Sequence, residues 1–151
     1  MKLRRYTPSD LPAVVAIFRS NIPKYFGPGE EPGLRDFLSD SRSGDYYVMD
    51  ADGDVIGAGG IGLNDDESVS LCWGMIRSDY LGRGLGRKLT EFRIEKALVK
   101  HGPLPLVIST SQHTRGFYEK FGFRLVSHTP DGFGSGIDIC KMRLEHPSEA
   151  S

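Results

Sequence analysis

Cysteine, tryptophan and long apolar runs are scarce in this chain, and so is any surplus of charge of one sign. The two cysteines, Cys72 and Cys140, are far apart, with no Cys-x-x-Cys or Cys/His cluster around them. Neither a disulfide framework nor a zinc site is therefore indicated, and no metal is expected. No segment approaches the roughly 20 apolar residues that a membrane helix requires. The basic start Met1-Lys2-Leu3-Arg4-Arg5 leads to an apolar run, Leu11 to Phe18, that Pro12 interrupts and no small-residue cleavage pattern follows. It is read as lacking a signal peptide, so a cytoplasmic protein is expected. Lys and Arg number 19 against 20 Asp and Glu, a formal charge of -1, so no global field draws the chain to nucleic acid or to an anionic membrane.

What is present fits one globular domain. The 151 residues are 38% hydrophobic and 26% charged, an ordinary composition, and the 19 glycines predict many turns and bulges. No repeat or linker divides the chain, so residues 1–145 read as one domain and 146–151 as a frayed tail.

Hydrophobic spacing predicts the elements. Lys2 to Tyr6 reads as a strand, and Thr7-Pro8-Ser9-Asp10 supplies capping residues for a helix ending near Asn21. After a Gly/Pro-rich loop, Leu34, Phe37 and Leu38 restore helical spacing before Ser43-Gly44. The stretch from Asp45 to Ile76 reads as a three-strand meander with turns at Asp52-Gly53-Asp54 and Asn64-Asp65-Asp66. In its last strand Val69, Leu71, Trp73 and Met75 form one apolar face, and Gly74 is a candidate bulge. A helix ending before Gly102-Pro103 follows, with Leu85, Leu89, Phe92 and Val99 as its stripe and Ile94 and Leu98 opposite. Leu104 to Ile108 reads as a strand, a short helix capped by Thr110 or Ser111 closes at Gly122, and Phe123 to Ser127 and Ile137 to Leu144 are the last strands. The order β-α-α-β-β-β-α-β-α-β-β makes an α/β fold with a mixed sheet of about seven strands, mostly antiparallel and flanked by helices.

Leu81-Gly82-Arg83-Gly84-Leu85-Gly86-Arg87 places three alternating glycines at a strand-to-helix junction. Backbone amides at a helix start, together with Arg83 and Arg87, form a site for pyrophosphate. A P-loop is excluded because Gly-Lys-Ser/Thr is missing, and the dinucleotide fingerprint because its third glycine is missing. Downstream runs Phe117-Tyr118-Glu119-Lys120-Phe121-Gly122-Phe123. Ser111 and Tyr118 stand seven apart, about two helical turns, and so are expected on one face.

Together these two segments, in this order, resemble the GNAT superfamily of acyl-CoA-dependent N-acetyltransferases over nearly the whole chain. The glycine turn Leu81 to Gly86 aligns with the family's Gln/Arg-x-x-Gly-x-Gly/Ala, with Leu81 at its first position, and the later segment matches its Phe/Leu-Tyr-Glu-Lys-x-Gly-Phe. The resemblance implies a strongly twisted sheet splayed where acetyl-CoA enters. It implies that Gly74, Met75 and Ile76 hold the pantetheine arm and that Gly82, Arg83, Gly84, Leu85, Gly86 and Arg87 hold the pyrophosphate. Ser111 falls where a cofactor-contacting Asn is common, and Tyr118 where a tyrosine protonates the departing sulfur. The acetyl group would pass directly to a primary amine of a small molecule or peptide, and a homodimer is left open.

Chemistry sets further requirements. An alkylamine with pKa about 10.4 is almost wholly protonated at pH 7, so a base or a water path must take its proton. The resemblance assigns the oxyanion donor to backbone N–H near Met75 and Ile76. No residue identifies itself as the base: His113 reads as a surface or capping group, and Glu30, Glu31, Asp65, Asp66 and Glu67 as solvated loop residues. Tyr25-Phe26-Gly27-Pro28-Gly29-Glu30-Glu31 would suit a cationic amine if it lines the acceptor site. Cys72, Trp73 and Cys140 read as ordinary strand or core residues. Leu81 stands where Gln or Arg is usual, and with Ser111 and the missing base it motivates the alternative of a catalytically silent acyl-CoA-binding or sensing module.

Overall fold

The computed structural model describes residues 1–40 and 45–145. The expected tail at 146–151 and the expected stop at Ser43-Gly44 lie outside the described residues. The elements are β1 (Lys2–Arg5), α1 (Leu11–Ser20), α2 (Glu31–Ser39), β2 (Tyr46–Ala51), β3 (Asp54–Leu63), β4 (Val69–Ile76), α3 (Leu85–His101), β5 (Leu106–Thr110), α4 (Arg115–Glu119), β6 (Arg124–Gly134) and β7 (Ile137–Leu144). They occur in the order that the sequence spacing predicts. Seven strands form one sheet in the order β1-β2-β3-β4-β5-β7-β6. Among the described residues only β4 and β5 pair in parallel, with α3 as their crossover.

Local chemistry explains the entry to α1. The Asp10 carboxylate accepts the backbone N–H of Thr7 at 2.8 Å and two guanidinium N–H groups of Arg4 at 2.9 Å each. Arg4 also donates to Asp50 at 3.0 Å, so one cation ties β1, β2 and the helix start together. The Arg4 hydrogen bonds hold the Asp10 carboxyl below the usual aspartate value, against the opposing effect of burial.

Helices α1 and α2 bury Val14, Ile17, Phe18, Leu34 and Leu38 against Tyr46, Val48, Ala58 and Met75. In a second cluster Ala97 of α3 and Tyr118 of α4 pack with Ile61, Val69, Leu71, Leu106 and Met142. Two expectations change here. The buried residues of α3 are Leu89, Thr90, Arg93 and Ala97, whereas Val99 is 78% exposed. The small Thr90 and Ala97 let the helix approach the sheet closely, and that inward arc turns Val99 to solvent. The single apolar face expected for β4 is also split. Ala58 pairs with Met75 and Gly60 with Cys72, so Gly59 alone faces both Trp73 and Gly74. This is a β-bulge, marked by Trp73 at φ +44°. The extra residue reverses the alternation: Val69 and Leu71 join the α3 cluster, while Trp73 and Met75 join the α1 cluster.

Candidate active site

Strands β4 and β5 pair only at Val69 with Leu106 and Ser70 with Val107, then diverge. The bulge at Trp73 and Gly74 lies beyond the point where they part, and the backbone there is pinned by side chains. Tyr46 Oη donates to the Trp73 carbonyl at 2.8 Å, and the buried Asn21 Nδ2 donates to the Ile76 carbonyl at 2.8 Å. A cleft of about 920 Å³ opens here, with Gly74, Met75 and Ile76 on the β4 wall and residues 108–111 on the other. Its size suits a cofactor-scale ligand.

At the mouth the chain turns into α3 through Gly82 at φ +79° and Gly84 at φ +77°. A Cβ at either would meet nothing within 4 Å, so conformation and not crowding requires glycine there. Gly82, Gly84, Leu85, Gly86 and Arg87 line the cleft, beside the amides and positive dipole end of a 17-residue helix. This polar cradle fits a pyrophosphate. Of the two expected basic residues, Arg87 reaches the cleft, while Arg83 is stacked over the Tyr80 ring at 4.5 Å and does not line it. Leu81 borders the cleft mouth and is 44% exposed.

Tyr118 is buried, 7% exposed, and lines the same cleft. Phe117 and Phe123 hold its ring edge-on, at 5.0 and 5.8 Å. The short helix α4 ends at Glu119, before the expected Gly122, which closes the turn that follows it at φ +97°. It begins only at Arg115, so Ser111 and Tyr118 do not share a helical face. Ser111 lies in the preceding turn, where its hydroxyl accepts the His113 N–H at 3.2 Å. Both residues line the cleft all the same.

At the other end Tyr25, Phe26, Phe37, Trp73 and Phe133 form an aromatic wall. The Phe26 and Trp73 rings lie 6.1 Å apart, so Trp73 is a wall residue as well as a core one. Glu30, expected in a solvated loop, is half-buried on this wall, with Oε2 accepting the Gly27 N–H at 2.7 Å. Burial raises the Glu30 carboxyl above the usual value, and the Gly27 hydrogen bond opposes it. His113 is exposed at the rim, edge-on to Tyr25 at 6.3 Å. The Cys72 thiol faces the cleft and is pushed up by burial, with the Arg93 charge pulling it back.

Sequence reading missed Arg93. A charge in the middle of a helix is ordinarily solvated, yet Arg93 is 1% exposed and among the largest fully buried side chains. Its side chain lies against Gly59 and Gly74, where a Cβ would come within 3.2 Å of Cδ and 2.6 Å of the terminal guanidinium nitrogens. Nη2 donates to Tyr118 Oη at 3.2 Å. A usable signal was present: glycines at matching places on neighbouring strands, which leave room for one large side chain.

A family model described as an acetyltransferase (GNAT) domain matches residues 31–146. Ard1 from Thermoplasma volcanium superposes with a TM-score of 0.78 at 15% identity, with 95% of each chain covered. The ribosomal-protein-S18-alanine N-acetyltransferase of Escherichia coli gives 0.76 at 18%, covering 96% of this chain and 93% of its own. A GCN5-related N-acetyltransferase from Kribbella flavida gives 0.75 at 20%, covering 95% and 96%. These identities establish likeness of fold alone. No curated protein sequence matches the chain.

Proposed function

The chain belongs to the GNAT acetyltransferase family, and from that premise we propose that it moves the acetyl group of acetyl-CoA directly to a primary amine of a small molecule or peptide. The observation that carries this reading is that Tyr118 lines the same cleft as the glycine turn and the bulged strand. The amides of Gly82 to Arg87 bind the pyrophosphate, with Arg87 adding charge, and the backbone of Gly74, Met75 and Ile76 orients the pantetheine arm. Ser111 borders that arm. The thioester supplies an activated acetyl group.

Tyr118 is the general acid, giving its phenolic proton to the departing sulfur. The aromatic wall and Glu30 receive the acceptor amine: aromatic faces and a carboxylate both attract a cation, and a carboxyl raised by burial is suited to take the amine's proton, directly or through water.

The test is release of free thiol from acetyl-CoA across a panel of primary amines and amino-terminal peptides. Turnover with at least one acceptor is expected, and Tyr118→Phe should lower kcat about 100-fold or more while leaving acetyl-CoA affinity nearly unchanged. Binding without thiol release across the whole panel would favour the silent module.

A further inference from the structure

Arg93 has no place in the reaction described so far, and its surroundings make it costly. It is 1% exposed, and among the described residues no ion pair compensates it and no group accepts from Nε or Nη1. A buried guanidinium without a carboxylate is strongly disfavoured unless something else repays the desolvation. Its two hydrogen-bond partners are Thr90 Oγ1 at 3.5 Å and Tyr118 Oη at 3.2 Å. Two strands also make room for it, with Gly59 and Gly74 each lacking the Cβ that would crowd its stem or head.

We propose that Arg93 is a positioning residue for acid catalysis: it fixes Tyr118 with the phenolic hydrogen toward the cleft and holds the phenolate that Tyr118 becomes when it gives up its proton. This rests on the acetyltransfer reading of the same cleft. A guanidinium carries donors only, so Nη2 occupies a lone pair of Oη, and the Tyr118 hydrogen must point elsewhere. In the step itself the amine nitrogen bonds to the carbonyl carbon and the carbon–sulfur bond breaks, its electron pair going to sulfur. Sulfur takes the Tyr118 proton to give free CoA. The phenolate, facing Arg93, is reprotonated through water by the second proton that the nitrogen loses as it becomes an amide, the first having passed to Glu30 before attack. The charge pair exists only during turnover, which accounts for a cation kept without a resident anion.

The experiment is a double-mutant cycle between Arg93→Met and Tyr118→Phe, read by kcat, acetyl-CoA KM and melting temperature. Alone, Arg93→Met should lower kcat about 10- to 100-fold with KM changed by less than about threefold. In the Tyr118→Phe background it should cost less than about threefold more. Because an apolar side chain of similar length replaces an uncompensated charge, the melting temperature should hold or rise. Arg93→Lys, which keeps a charge and a donor, should recover part of the lost kcat, and it carries the test if the Met variant does not fold. Equal losses in both backgrounds, or a kcat loss that simply follows a fall in melting temperature, would overturn the proposal while leaving the acetyltransferase reading intact. A folded wild-type chain that binds acetyl-CoA but acetylates nothing would overturn both.

Discussion

Replacing Gly74 by alanine tests whether the bulge is built around the Arg93 side chain. Gly74 is not at positive φ, so alanine is free to adopt its backbone and the perturbation is steric. The new Cβ would stand 2.6 Å from both terminal guanidinium nitrogens and 2.8 Å from Cζ, about an ångström inside ordinary contact. Arg93 has little room to retreat, because Gly59 on β3 packs against its Cδ and Nε. Overpacking of this kind costs about 1–3 kcal/mol, which in a domain of this size lowers the melting temperature by about 2–12 °C. The assay is thermal and urea unfolding of Gly74→Ala in wild-type and Arg93→Ala backgrounds. With the guanidinium gone, the alanine should cost less than about 0.5 kcal/mol. An equal loss in both backgrounds would refute the steric reasoning and place the cost in the bulge backbone.

Gly84→Ala should destabilise by about 1–2 kcal/mol, since a Cβ is forced to φ +77° at the N-cap of α3, and titration should also show weaker acetyl-CoA binding. Asn21→Ala removes a buried donor from the carbonyls of Ile17 and Ile76, and urea denaturation should register a loss of about 1–3 kcal/mol. The Asp10 carboxyl, held low chiefly by Arg4, contributes stability that is fully present above about pH 4 and lost as pH falls through its lower folded value. Melts across that range should show an acid slope that flattens in Asp10→Asn, and an unchanged slope would remove Asp10 from acid denaturation.

The architecture was legible because the apolar runs of the inner strands, the turn residues between them and four helical stretches each agree with the sheet they form. The two cofactor-end segments were legible for a related reason: Gly82 and Gly84 have positive φ that only glycine adopts at low cost, so the motif is written in the backbone's needs. Alternation along β4 failed because one extra residue at Trp73–Gly74 reverses every side chain beyond it, and an insertion of that kind leaves strand composition unchanged. The α3 stripe failed because periodicity assigns charged residues to solvent, whereas Arg93 is enclosed by a gap two glycines create. Glu30 was read as solvated because its burial depends on the wall around it, in particular on Phe133, whose carbonyl would lie 3.1 Å from a Cβ at Gly27. Contacts between segments about a hundred residues apart leave no local pattern.

Calorimetric titration of the folded chain with acetyl-CoA, with ATP as the control ligand, tests the central claim most directly. Saturable one-site binding of acetyl-CoA, with no comparable binding of ATP and with loss of affinity in Gly84→Ala, is the predicted result. No binding of acetyl-CoA, or preferential binding of ATP, would contradict the assignment of the cleft and with it the acetyl transfer proposed there.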